Sequence, residues 1–366
     1  MQPTATTTGF ARLSPPAARG VLLLAAVATC LLVMVTFSPM AGGRVGKPAR
    51  GKGDVALYRA EVERIGQGEG YYQAVATELR ERGYPTKSVF NWRTPLPVWL
   101  IGVLPSPAMG KAILGMLCLA LVMLVFDAIC REDDNRIGRA VACVLLLSGP
   151  LLFCVIGDLF VMPVLWAGVL IALSIAAYGA QRPWLGFATG LAAVFFRELA
   201  LPYCLVAAVL AYRDGRRKET IAWAVGLSVF LLLFAAHCLY VGRLILPTDR
   251  AHAQSWISFG GAGFVIAITQ MNAYLMMLPQ WVTALYLAMA LVGFAGWNTP
   301  LGQRAGLTAC LFLAGMALVG QNFNQYWGCL LAPLMCLGVA RFPASIRDLF
   351  IAARPRKLSP ASVENC

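Results

Sequence analysis

The sequence predicts an all-α fold, a polytopic bundle of transmembrane helices. Three observations carry this reading. Hydrophobic residues make up 59% of the 366-residue chain and charged residues 13%, with a mean hydropathy of +0.70, well outside the balance of soluble domains. Apolar runs near the length needed to cross ~30 Å of hydrocarbon recur from end to end. Those runs are continuous rather than alternating, which excludes a transmembrane barrel. A single membrane domain over 1–366 suffices, with an external loop at 43–106 and a basic tail at 342–366.

The first apolar run, 20–41, has a core longer than the roughly 7–15 residues of a signal peptide, and "SPMAGGRVG" is a poor cleavage site. It reads as an uncleaved first span. Further spans are predicted at 107–129, 139–156, 159–180, 183–196, 199–212, 219–241, 281–297, 304–320 and 328–341. Two apolar pieces fit no crossing. Residues 94–104 are short and broken by Pro95 and Pro97, and 263–278 carry Gln270 and Asn272 in their middle. Both read as re-entrant or interfacial helices, the setting in which non-spanning backbone is tolerated at membrane depth.

Lys and Arg in short loops set orientation. The loops 130–139, 181–183, 212–219 and 301–304, with the tail, hold Arg131, Arg139, Arg182, Arg213, Arg216, Arg217, Arg304, Arg347 and Arg354, and are expected in the cytoplasm. The outer side then keeps 43–106, 195–203, 242–261 and 320–328, and ten spans leave both termini cytoplasmic. Much of the net charge of +13 is thereby a topology signal rather than a nucleic-acid signal. Most of the 11 cysteines lie inside apolar runs, where cysteine behaves as a small hydrophobe, and no CxxC motif is present.

The external loop has its own pattern. From Asp54, the side chains Val55, Tyr58, Val62 and Ile65 recur at helical spacing. After "GQGEG", Tyr71, Val75 and Leu79 repeat it as far as Arg82, where "GYP" ends it. Two amphipathic helices lying on the outer membrane surface are expected. Glu61, Glu63 and Glu69 fall on their solvated face, while Tyr71, Tyr72 and Trp92 suit an interfacial aromatic belt.

The unusual charges outside the cytoplasmic loops share the outer side: Asp54, Asp158 in "IGDLF", Arg197 and Glu198 in "FFRELALPY", and Asp249, Arg250 and His252. Ionisable groups at membrane depth cost roughly 2.5–3.5 kcal/mol each on insertion scales, so they usually face a wet cavity. One outward-opening polar cavity roofed by the loop helices follows. Carboxylates activate hydroxyls or hold a divalent cation, and arginines clamp phosphate oxygens. The combination suits a lipid-linked phosphate bearing a soluble head group. Ordinary alternatives exist for each group: a helix cap for Asp54 and Asp158, a structural ion pair for Arg197 and Glu198, snorkelling for Arg93. His252 is a lone loop histidine, and His237 a packed one.

An uncleaved first span, an early Asp in the external loop, the "Y…G…YY" helical pair, the return "FNWRTPLPVWL" and many short spans together resemble the GT-C superfamily of integral-membrane glycosyltransferases. Its relatives include protein O-mannosyltransferases, aminoarabinose transferases of lipid A and bacterial core-oligosaccharide transferases. The resemblance implies a bacterial inner-membrane enzyme. Its donor would be a polyprenyl-phosphate-linked sugar, its partners that lipid and the bilayer, with no nucleic acid. By position it makes Asp54 the catalytic base or a metal ligand, with Mg or Mn as the cation. Arg93 and Arg197 are the candidates for the donor phosphate, and Glu198 is the second catalytic candidate, positioning it. Tyr58, Asp158, Asn324, Tyr326 and Trp327 complete the set as substrate contacts.

Two rival readings remain at this stage. A transporter or flippase would place charges near the midplane and show internal repeats. The sequence has no evident repeat, and its charges gather on one face. A non-catalytic scaffold would leave those charges without a task.

Overall fold

The computed structural model describes residues 8–38, 53–132, 136–251 and 258–355, with Arg136 and Asn322 described in backbone only. Every regular element among them is helical. Five helices are long and apolar enough to cross a bilayer: α1 (Pro15–Thr36), α5 (Pro107–Glu132), α6 (Arg136–Val155), α10 (Arg217–Leu244) and α13 (Pro300–Leu318). A sixth crossing results if Phe323–Leu330 and α14 (Ala332–Ala352), bent by 60°, form one span.

The shorter helices correct the expected ten crossings. The runs at 159–180, 183–196, 199–212 and 281–297 fold as α7 (Pro163–Gly179), α8 (Pro183–Phe196), α9 (Leu201–Arg213) and α12 (Gln280–Ala295), of 17, 14, 13 and 16 residues. At 1.5 Å per residue they span roughly 20–26 Å, short of a full hydrocarbon thickness. In α7 the reason is visible. All of its residues but Tyr178 are buried, so it matches the protein around it rather than a lipid layer. Small residues let its neighbours close in: a Cβ on Gly168 would sit 2.2 Å from the Cys329 carbonyl oxygen.

The two apolar pieces expected not to cross are short helices, α4 (Pro95–Gly102) and α11 (Gly261–Thr269). The external loop forms α2 (Asp54–Gly66) and α3 (Tyr71–Glu81), as its periodicity predicts. Their apolar faces, however, pack on each other and on α4 and the turn Leu159–Val161, not on open membrane. α14 runs through the start of the expected tail to Ala352, with Pro343 inside it, and 356–366 lie outside the described residues.

Polar contacts divide the bundle into two ends. At one, Trp297 Nε1 donates to Glu132 at 2.9 Å, Arg216 pairs with Glu219 at 2.6 Å, Arg213 reaches Gln303, and the Thr8 backbone N–H donates to Asp348 at 2.7 Å. Both described chain extremities thus lie at this arginine-rich end. At the other, Arg59 pairs with Asp158, Arg80 with Asp249, Tyr72 with His237 and Arg93 with Glu198.

Candidate functional site

A cavity of about 290 Å³ opens at this second end, walled by α2, α3, the 84–93 loop and the segment 323–326. From α2 come Asp54, Leu57, Tyr58 and Glu61, which recur at i, i+3, i+4 and i+7 and so share one helix face. Tyr71, Val75 and Leu79 of α3 face the same space one turn apart. The loop that follows is pinned by Trp92, whose buried indole donates to the Thr86 carbonyl at 3.0 Å. Tyr71 donates its hydroxyl to the Arg93 carbonyl. These two bonds aim the Arg93 side chain into the cavity.

Arg93 is the hub. Its Nε donates to the Tyr58 hydroxyl at 3.2 Å, Nη1 to the Phe90 carbonyl at 2.9 Å and Nη2 to the Tyr326 hydroxyl at 3.5 Å. Glu198 approaches Nη1 at 3.8 Å and Arg197 Nε at 3.6 Å, bridging the two arginines. Arg197 is in extended backbone (φ −154°) where α8 gives way to the turn Glu198–Ala200, so these two residues sit on an unwound joint rather than on a helix face. Arg197 is 2% exposed, and its Nε has no hydrogen-bond partner. The cluster carries two cations against one acid, one cation with no hydrogen bond at Nε.

Asp54 accepts a hydrogen bond from the Tyr84 hydroxyl at 3.0 Å. The cap position of α2 is Gly53, so Asp54 is not the cap residue. On the far wall Asn324 is 3% exposed with its Nδ2 unpartnered, beside Tyr326. Burial pushes the Tyr58 hydroxyl up, against the lowering pull of Arg93, so it remains neutral.

The structure therefore brings together Asp54, Tyr58, Arg93, Asn324 and Tyr326 around the cavity, with Arg197 and Glu198 joined to it through Arg93. It leaves out two expected contacts. Asp158, just before the Leu159–Val161 turn that packs on α2, pairs with Arg59 of α2 at 2.7 Å with both side chains exposed. Trp327 is buried, its indole N–H without a hydrogen-bond partner, and does not line the cavity. Asp249 is used elsewhere, clasped by Arg80 at 3.0 Å. His252 lies outside the described residues.

Sequence reasoning also missed residues. Glu61, expected on a solvated face, is 2% exposed and lines the cavity. Burial pushes its carboxyl up to about 8. Its spacing of seven from Asp54 was the available signal. Tyr71 and Trp92, expected at the lipid interface, are buried, since α3 is roofed by protein. Tyr84 and Asn91 enter from the loop, where no periodicity marks them. Tyr72 faces away, toward an apolar groove of about 550 Å³ that also takes in Thr94, Trp99, Phe195, Phe234 and His237. Adjacent residues, Tyr71 and Tyr72 or Arg93 and Thr94, thus face the polar cavity and the greasy groove respectively.

The option of Mg or Mn at Asp54 finds a sparse donor set. Among the described residues no three His, Cys, Asp or Glu side chains group to hold a metal. The next acid on the same face, Glu61, lies two turns on, roughly 10.5 Å along the helix axis. A cation at Asp54 would need its remaining donors from water and a ligand phosphate.

No protein-family model, curated protein or solved structure matches the chain.

Proposed function

We propose that the protein is a multi-span membrane glycosyltransferase of the GT-C kind. It would move a sugar from a polyprenyl-phosphate donor to a lipid, glycan or protein acceptor on the periplasmic face of a bacterial inner membrane. The observation that carries this reading is Arg93, which lines the polar cavity and is joined through Glu198 to buried Arg197, while the neighbouring Thr94 and Phe195 line an apolar groove. An amphiphile with an anionic joint between lipid and sugar matches that sequence of environments. The arginine-rich opposite end is taken as cytoplasmic by the positive-inside rule.

In this reading Arg93 and Arg197 hold the donor phosphate, with Glu198 keeping the two guanidinium groups apart and oriented. Asp54 takes the proton from an acceptor hydroxyl. That oxygen bonds to the anomeric carbon as the bond from that carbon to the phosphate oxygen breaks, and polyprenyl phosphate leaves against the arginines. The configuration inverts. The ionic groups gather at one end rather than the midplane, which favours a transferase over a transporter or flippase. Replacing Asp54 by Asn is expected to abolish transfer while the protein still folds, read as a missing sugar in whole-cell glycans or lipid-linked sugars. Wild-type glycosylation in that variant would end the transferase reading.

A further inference from the structure

Glu61 is the one acid of the cavity to which the reaction above gives no task. Its side chain is 2% exposed, it lines the cavity on the same face as Asp54 and Tyr58, and it makes no hydrogen bond or ion pair with any described residue. A buried carboxyl serving only structure would be paired, as Glu78 is, held between Arg64 at 2.5 Å and Arg82 at 2.8 Å. The nearest strong cation, Arg93, is already committed to Tyr58, Phe90, Tyr326 and Glu198. From a second, distant element, Asn324 presents a buried amide nitrogen without a hydrogen-bond partner to the same space. Buried polar groups without partners cost free energy unless a ligand completes them. Two such groups on one small cavity have a common explanation.

We propose that Glu61 and Asn324 form an uncharged hydrogen-bonding pair that binds the hydroxyl groups of a neutral, sugar-sized ring, with Glu61 acting as a carboxylic acid that donates its proton to a ligand oxygen. The identity of the ring as a sugar rests on the transferase reading; the pairing rests on the geometry alone. A cavity of about 290 Å³ suits a single ring. Tyr58, Tyr71, Tyr84 and Tyr326 give it aromatic walls, as flat apolar faces of a sugar require. The groups that face Glu61 favour the acid form in sum. Burial raises its proton affinity, Arg93 lowers it, Glu78 and Asp54 raise it, and Arg82 lowers it, leaving it at about 8, with the neutral rings of Tyr58 and Tyr71 completing its surroundings.

The test uses the full-length protein in lipid nanodiscs, with the methyl glycosides of glucose, galactose and mannose as probes and saturation-transfer NMR as readout. At least one probe is expected to bind wild type at pH 7 and about tenfold more weakly at pH 9, where the acid form falls to about a tenth. Glu61→Gln, which keeps shape and a donor, is expected to bind equally at both pH values. Glu61→Leu and Asn324→Leu are expected to lose binding while keeping the wild-type gel-filtration profile. No binding of any probe to wild type, binding by Glu61→Leu at wild-type strength, or a wild-type pH profile in Glu61→Gln would each overturn the proposal. Probe binding with the expected profile but no transfer from a polyprenyl-phosphate donor would overturn the transferase reading and leave the pair standing. Transfer with the wild-type pH dependence retained in Glu61→Gln would do the reverse.

Discussion

Arg197 and Glu61 are both buried polar groups with open valences, and each has a consequence for stability. A guanidinium taken from water with no hydrogen bond at Nε is a net cost that a well-packed apolar side chain avoids. Arg197→Met removes that cost and leaves Glu198 beside Arg93 at 3.8 Å, so the melting temperature in detergent is expected to hold while transfer is lost. A structural ion pair would show the opposite pattern, because removing one partner of a useful buried pair is strongly destabilising. For Glu61 the sign follows from proton linkage. Its folded carboxyl sits at about 8, above the ordinary carboxylate value of 4.5, so the folded state binds more protons across that window. The stability it contributes is complete below about 4.5 and falls as pH rises through 8, by on the order of a few kcal/mol. The Tm of wild type is expected to decline over that range and that of Glu61→Gln to decline less, converging at acid pH.

At the scale of elements, the site depends on how closely the 322–330 segment can approach its neighbours. A Cβ on Gly328 would meet the Ile268 carbonyl oxygen at 1.8 Å, and one on Gly168 the Cys329 carbonyl oxygen at 2.2 Å. Both obstacles are backbone, so the segment must move, and Asn324 and Tyr326 move with it. Gly328→Ala is expected to destabilise by about 1–3 kcal/mol and to lose hexoside binding. Gly293→Ala provides the comparison. Its Cβ would strike the Gly338 carbonyl oxygen at 1.8 Å, where α12 packs on α14 away from the cavity. A comparable fall in Tm with binding retained is expected there. The helix pair α2–α3 was legible as elements because its apolar residues recur at helical spacing. What it packs against was not, since Glu61 and Tyr71 look amphipathic in a string whether protein or water covers them.

For the whole molecule, the division of polar contacts into two ends makes sidedness testable. A reporter fused in the exposed α2–α3 turn at Gly68 is expected to be exported, and one at the exposed Gly215 to remain in the cytoplasm, read by paired phosphatase and fluorescent fusions. Finding both on one side would remove the outward cavity. Because Thr8 is bound to Asp348, both described extremities share an end, whatever the number of crossings through α7, α8, α9 and α12.

Composition and unbroken apolar runs determined by themselves that the chain is helical and carries spans, since hydrocarbon demands long internally bonded apolar helices. They also determined that Asp54, Arg93, Arg197 and Glu198 stand apart from the positive-inside pattern. Tertiary structure alone decided that Arg93 is the hub, that Asp158 is turned outward to Arg59, and that Glu61 is enclosed. These outcomes depend on which face of each short helix its neighbours cover, and local spacing records the face without recording the cover.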